Sequence, residues 1–415
     1  MKNLNANLTE CFLHLDADAF FVGVEVAKNS ALRGLPVVSG GDRGIVLALS
    51  YEAKALGVVR GMPIFKLKRN FPNVIVLPGD YPSYLDYSGK MFDVVRRYAE
   101  HIEEYSIDEC FVDVTGLDRV LKMSYRQIAE RIQREIRDEL DISVTIGIAP
   151  NKVLAKIASK WVKPKGLTEI TSASIRSYLV KTPIESLWGI GRKTAVRMHL
   201  AGIETALDFA EMNESWVRRT FAKPYVSIWM ELNGTSVMDV DTSAKESYGR
   251  VQQTRTFHPA TNDMNFLRSQ ISKHLEGVCS KARRYDCAPK NIFLFLKTQK
   301  FAYISRRIPL AHPTNTPETL LPILISALHE IYSPTTLYRA TGVTLSDLVP
   351  YPLLQTSLFE DTVEEDKFAS IHKNLDALES KLGKRMVYLA STHSAKSRKQ
   401  AGTDVDTVDR NLLFM

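Results

Sequence analysis

The sequence predicts an α+β protein built from several domains, and three features carry that expectation. At 415 residues the chain is too long for one ordinary hydrophobic core. In its N-terminal part, runs of period-2 alternation take turns with runs of helical spacing, in the order strand, helix, strand, helix, strand. Its later half changes character, with basic residues gathered in one segment.

Taken in order, CFLHLDADAF sets Phe12 and His14 against Leu13 and Leu15 and breaks at acids, predicting a buried strand that ends near Asp16. Residues 29–80 are rich in Gly and Pro and read as a small α/β insert. GKMFDVVRRYAEHIEEYS repeats its apolar residues at helical spacing from Met91 to Ile102, predicting an amphipathic helix. CFVDV is a strand, and Ile128, Ile132, Ile136 and Leu140 line a second helix. DISVTIGIAP alternates as a half-buried strand, and Asn151 is placed to cap a third helix, NKVLAKIASKWV. That order is a split βαβ sheet with helices on one face. SLWGIGRKTAVRMHLAGI is helical with a Gly-Ile-Gly hinge, and DVDTSAKESYG, near 239–250, reads as a linker. Strand NIFLFLKT and helix PETLLPILISALHEIY belong to a further domain ending at VPYP, residues 349–352. A tail follows, with one short amphipathic helix from Phe368 to Leu382.

Composition narrows the function. With 45% hydrophobic and 24% charged residues the chain is globular, and no run approaches the length of a membrane span. The N-terminus carries no secretory pattern, and Cys11, Cys110, Cys279 and Cys287 form no CxxC pair, so free thiols in a reducing cytoplasm are expected. Between Lys245 and Arg307 stand thirteen Lys/Arg against four Asp/Glu, an excess larger than the +7 of the whole chain. Such asymmetry is the footprint of a polyanion-binding module.

Asp108 and Glu109, adjacent in YSIDECFVDV, are the unusual pair. Carboxylates held together repel, so one protonates or a cation joins them. Mg²⁺ takes oxygen ligands, and two or three carboxylates with a substrate's phosphates complete its shell. Asp16, Asp108 and Glu109 are of the right chemical type, and strand ends of one sheet would let them converge.

At these residues the sequence resembles a family. HLDADAFFVGVE, SYEAKALGVVRGMP, YSIDECFVDVTG, TIGIAPNKVLAKIASKWVKPKG and WGIGRKT occur in order and together look like the Y-family DNA polymerases, of the polymerase IV and polymerase V type. The resemblance covers about residues 11 to 350. It implies a right-hand architecture with a ferredoxin-like palm (1–24 and 82–174), small fingers (25–81), a thumb with a helix-hairpin-helix (175–240), an α/β little finger (250–348) and a tail (349–415). It implies template-directed synthesis on a primer, with low fidelity, in translesion repair.

Residue by residue, the resemblance makes Asp16, Asp108 and Glu109 the catalytic, metal-binding carboxylates, with the Ala17 carbonyl a further ligand, for two Mg²⁺ ions or Mn²⁺ in their place. Asp18 keeps a structural role beside them. Phe21 matches the steric gate that rejects a 2′-hydroxyl by clash, with Phe20 beside it as a nucleotide-binding residue. Tyr51, Lys54 and Lys163 match positions that meet the triphosphate; many relatives carry Arg where Lys54 stands, so a point charge replaces a bidentate grip. Gly189, Gly191, Arg192 and Lys193 resemble the hairpin that holds a DNA phosphate. Arg250, Arg255, Lys297, Arg306 and Arg307 are the phosphate-gripping candidates of the basic domain. In QTSLF, Gln355, Leu358 and Phe359 resemble the peptide by which bacterial polymerases bind the sliding clamp. The implied partners are primer-template DNA, deoxynucleoside triphosphates, the clamp and polymerase V-type accessory subunits, with no membrane, and the implied location is the cytoplasm at the nucleoid. Two other readings stand beside this one: a non-catalytic adaptor that binds DNA and clamp, and a palm-fold nucleotidyl cyclase.

Overall fold

Strand β1 (Phe12–Ala17) opens a computed structural model that describes residues 10–41, 44–242, 249–351, 363–382 and 385–397. These residues fall into two units that divide between 243 and 244, inside the stretch the composition marks as a linker.

In the first unit, β1 leads through helix α1 (Phe20–Lys28) into the insert, which holds β2 (Val37–Ser39), β3 (Ala48–Leu49), α2 (Tyr51–Ala55), α3 (Ile64–Asn70) and β4 (Ile75–Leu77). The insert is a three-stranded sheet ordered β3-β2-β4, with its own small core of Val38, Val46, Ala53, Ile64 and Leu67. The chain returns through α4 (Tyr81–Arg96), β5 (Ile102–Glu104), β6 (Glu109–Asp113), α5 (Leu117–Leu121), α6 (Tyr125–Leu140), β7 (Val144–Ala149), α7 (Lys152–Trp161) and β8 (Leu167–Glu169). The main sheet runs β5-β6-β1-β7-β8, antiparallel except for the last pair.

Alternation fixes the register of β1. Leu13, Leu15 and Ala17 enter a core shared with α4 and α6, and Phe12, His14 and Asp16 take the opposite face. The expectation of helices on one face only is corrected here, because α7 covers that opposite face. Gly147 makes the approach possible: a Cβ there would lie 2.1 Å from the Ala155 carbonyl oxygen. For the same reason β7 is buried along its whole length, rather than on alternate residues as its sequence suggested. The helix expected to run on to Ile102 begins earlier, at an Asp80 cap with Pro82 in its first turn, and stops at Arg96. Ile102 belongs to an edge strand instead.

Helices α8 (Ile175–Leu179), α9 (Arg192–Leu200), α10 (Ala206–Glu211), α11 (Glu214–Thr220) and α12 (Lys223–Leu232) close the unit. They share one core with α7. Asn151 caps α7 through Leu154 N–H, and the buried Glu231 of α12 accepts Val153 N–H at 2.9 Å, satisfying a second orphan donor of that helix start.

The second unit contains β9 (Arg250–Thr261), α13 (Met264–Arg284), β10 (Cys287–Thr298), β11 (Tyr303–Pro309), α14 (Pro317–Ile331) and β12 (Tyr338–Pro350). Its antiparallel sheet is ordered β11-β10-β12-β9. Ile292, Leu294, Leu296, Val343 and Leu345 face α13 and α14, leaving the other face open. Of the tail's described residues, α15 (Val363–Leu382) and α16 (His393–Ser397) belong to this unit. Asp376 takes two bonds from Arg283, at 2.6 and 3.0 Å, and the buried Glu276 accepts Leu389 N–H and Thr392 Oγ1–H. The sequence's helical spacing found α15; its charge partners lie about a hundred residues away and left no local mark. The four cysteines are buried free thiols. Among the described residues no helix is long and apolar enough to cross a membrane. Gln355, Leu358 and Phe359 lie outside the described residues.

Candidate active site

Antiparallel pairing puts Asp16 of β1 directly opposite Glu109 of β6. Directly opposed side chains on one face of a sheet lie close enough to interact. Asp108 stands one residue before β6, and its carbonyl accepts Ala17 N–H at 2.8 Å, tying its backbone to the end of β1. Three carboxylates therefore gather at one end of two adjacent strands. Ser106 Oγ donates to Asp108 at 2.5 Å. Burial raises the Asp108 pKa, and the negative charges of Asp16 and Glu109 raise it further.

Two ammonium groups answer this charge. Lys163 is hydrogen-bonded to Asp16. Lys156 Nζ reaches both Glu109 oxygens at 3.0 Å, and His14 Nε2 faces one of them at 3.3 Å. Burial alone would raise Glu109, but His14 and Lys156 together pull its pKa down to about 2. His14 is fully buried, and that burial lowers its own pKa, so the ring is neutral at pH 7. Its Nδ1 is 2.7 Å from Ser159 Oγ.

Sequence reasoning passed over Lys156 and His14. Lys152, Lys156 and Lys160 repeat every fourth residue along α7, and a lysine stripe on a helix whose other faces are apolar needs carboxylates to meet it. That spacing was the available signal. Lys152 pairs in this way with Glu103 at 2.5 Å. Lys156 is further held against the Tyr105 ring at 4.4 Å and the Trp188 ring at 5.3 Å. Trp188, from the WGIGRK motif, donates its indole N–H to Tyr105 at 3.0 Å.

Asp18 is buried and accepts from Thr145 Oγ1 at 2.8 Å, Lys165 N–H at 2.9 Å, Ser143 Oγ at 3.0 Å and Tyr51 Oη at 3.4 Å. Its oxygens hold the insert and the sheet together. Burial raises the Tyr51 pKa, followed by Asp18 and Asp16, so its phenol stays protonated. Lys54 is exposed, 5.9 Å from the Tyr51 ring. Helix α1 starts after Ala19 at φ 47° with no side-chain cap, which leaves its first N–H groups for an anion. The Phe20 side chain is in the core, so only its backbone is open to that use. The Phe21 ring is half-buried and stacks on Tyr84, centroids 4.3 Å apart and nearly parallel. Tyr84, whose hydroxyl donates to Glu25 at 2.9 Å, was not singled out from sequence.

The other candidates fall in separate places. Gly189 sits at φ 84°, and a Cβ there would come within 2.7 Å of Ile228. Gly191 precedes α9 without a side-chain cap, and Arg192 and Lys193 are exposed at that helix start. In the second unit Arg250, Lys297 and Arg307 lie on the open face of the sheet, Arg307 paired with Asp347 at 3.4 Å. Arg255 and Arg306 do not join them. Arg255 shares the helix-packed side with Gln253, and Arg306 reaches Glu330 of α14 at 3.0 Å.

Hard oxygen donors crowded so that Asp16 and Glu109 raise Asp108 beyond what burial does fit a divalent cation of the Mg²⁺ type. Among the described residues no three such groups are already spaced as a closed shell, and the oxygens of Asp16 and Glu109 are turned to lysines. A cation would take over the neutralising role that Lys156 and Lys163 now fill.

Residues 15–160 match the impB/mucB/samB family, and residues 250–358 match that family's C-terminal domain. The chain is 30% identical over 379 residues to DNA polymerase IV of Desulfatibacillum aliphaticivorans, spanning 89% of this chain and 94% of the relative. It is 29% identical over 395 residues to DNA polymerase IV 1 of Bacillus subtilis, 94% of this chain and 95% of that one. Among solved structures, a chimeric Y-family DNA polymerase superposes with a TM-score of 0.68 at 25% identity, covering 82% of this chain and 99% of the other.

Proposed function

The chain belongs to the impB/mucB/samB family and is a Y-family, polymerase IV-type translesion DNA polymerase, and from that premise we propose that Asp16, Asp108 and Glu109 are its catalytic carboxylates. The observation that supports this most is the register pairing of Asp16 with Glu109, with Asp108 tied to Ala17 at the same strand end. In this reading the sheet of β1 and β5–β8 is the palm, the insert the fingers, α8–α12 the thumb and the second unit the little finger.

Polymerases of this family depend on a divalent metal; we take it to be Mg²⁺, two ions per site, held by Asp16, Asp108, Glu109 and the Ala17 carbonyl. Bound there, the ions supply the Lewis acidity for attack of a primer 3′-hydroxyl on an α-phosphate and for departure of pyrophosphate. The chain's own residues do the rest. Lys163, released from Asp16, turns its ammonium to the triphosphate beside Lys54 and the Tyr51 hydroxyl, where negative charge develops on the leaving group. The uncapped start of α1 offers backbone N–H groups to the same phosphates. Phe21, braced on Tyr84, presents a flat ring beneath the sugar. Primer-template DNA lies against Arg192 and Lys193 of the thumb and the open face bearing Arg250, Lys297 and Arg307. QTSLF engages the sliding clamp, and the protein works in the cytoplasm at the nucleoid.

Primer extension tests the assignment. Wild type extends a primer on a template, and Asp108→Asn, folded by circular dichroism, does not; extension by the variant would refute the carboxylate role. A cyclic product from nucleotide alone would favour the cyclase. Loss of clamp stimulation in a Leu358→Ala/Phe359→Ala variant, with unassisted synthesis intact, checks the tail peptide.

A further inference from the structure

At one end of the open sheet in the second unit, the turn between β10 and β11 carries two large aromatic rings in solvent. Phe301 is 61% exposed and Tyr303 63% exposed. Each is accompanied by a cation. The Arg339 guanidinium is 4.2 Å from the Phe301 ring centre, and Lys297 Nζ is 4.5 Å from that of Tyr303 and donates to its hydroxyl at 2.9 Å. Lys297 is also 5.2 Å from the Phe301 ring, which ties the two pairs into one cluster.

The turn is a poor place for a phenylalanine on folding grounds. Phe301 sits at φ 69°, in the left-handed region that glycine or asparagine fills without strain. Its ring is not buried in return, so neither backbone nor packing accounts for it. Residues 297–303, KTQKFAY, contain two lysines and no acid, and Arg339 adds a third positive charge beside them. A partner therefore has to be anionic and to offer flat apolar faces. Single-stranded DNA has both, since every unpaired base exposes a π-face and every link a phosphate. In a duplex those faces are already stacked on one another.

We propose that Phe301 and Tyr303, with Lys297 and Arg339, form a stacking platform for unpaired bases of single-stranded DNA. This goes beyond the phosphate contacts assigned above to the open face, which do not distinguish paired from unpaired strands.

Anisotropy titration of the full chain with a labelled oligothymidylate, an abasic strand of equal length and a blunt duplex separates the terms. Stacking on one ring accounts for roughly five- to 150-fold in affinity. Phe301→Ala and Tyr303→Ala should each weaken oligothymidylate binding by that factor, leave the abasic strand and the duplex within about twofold, and leave primer extension at saturating DNA unchanged. Phe301→Trp should retain binding. Phe301→Gly gives a second readout: relief of the left-handed φ should slow hydrogen exchange in the β10–β11 hairpin while oligothymidylate binding falls. Unchanged oligothymidylate binding would overturn the proposal, as would an equal loss on all three ligands, or faster exchange in Phe301→Gly.

Discussion

Replacing Lys156 by Met should destabilise the metal-free first unit at neutral pH and much less in acid. The ammonium meets both oxygens of Glu109 at 3.0 Å, in a pair whose side chains are only 8% and 16% exposed. Glu109 is held from an ordinary 4.5 down to about 2. At 1.36 kcal/mol per pKa unit that lowering is worth about 3 kcal/mol at pH 7, and because His14 shares it, about 2 kcal/mol belongs to Lys156. Since the folded pKa lies below the unfolded one, this stabilisation is fully present above about pH 4.5 and disappears as pH falls toward 2. The gap between wild type and variant should thus shrink to about 60% of its neutral value by pH 3 and further below it. All four tryptophans, Trp161, Trp188, Trp216 and Trp229, lie in the first unit, so denaturant titration followed by their fluorescence reads that unit alone. A double variant with Glu109→Gln should recover most of the loss, because no unpaired buried charge remains. A gap of equal size at pH 7 and pH 3 would refute the electrostatic account and assign the loss to packing against Tyr105.

Phe21→Ala should admit ribonucleotides in single-nucleotide incorporation assays, and Tyr84→Ala, which removes the ring stacked 4.3 Å beneath it, should weaken discrimination partway. Gly147→Ala should abolish soluble, folded protein or cost several kcal/mol, about 3 or more, since the new methyl meets backbone rather than a movable side chain; Gly41→Ala, with nothing within 4 Å, should have no effect on the same denaturation curve. Asp376→Ala removes the bonds that Arg283 of α13 makes to α15 and should speed proteolytic removal of the tail, read by mass spectrometry, while the core of the second unit stays intact.

What the sequence disclosed and what it withheld divide along a physical line. The carboxylates stood out because like charges side by side, just before an apolar strand, have few uses in folding alone, and their proposed roles came from the family resemblance. The faces of β1 were legible from the alternation of Leu13 and Leu15 with His14, whereas the register that sets Asp16 opposite Glu109 depends on a strand remote in sequence. Lys156 and His14 were legible only in part: the four-residue lysine spacing on α7 asks for carboxylates but does not say which, since the place where a helix crosses a sheet is set by remote contacts, and Gly147, bare where α7 presses in, records that crossing. The same holds for the tail. Its helix was legible from Phe368 to Leu382, yet its docking depends on Arg283 and Glu276, whose partners are remote in sequence. Those hidden contacts also bear on the chemistry. On the proposed assignment, three carboxylates that exchange cations are left facing one another when those cations depart, and Asp108 is already raised by burial and then further by the charges of Asp16 and Glu109. Lysines fixed on α7 and just beyond it offset the charges of Glu109 and Asp16 without closing the site, because an ammonium on a flexible stem can be displaced by a divalent ion where a bidentate arginine would resist. On that argument Lys156→Arg should fold as well as wild type and still require a higher metal concentration for half-maximal extension; an unchanged metal requirement would mean that the lysines only brace the fold.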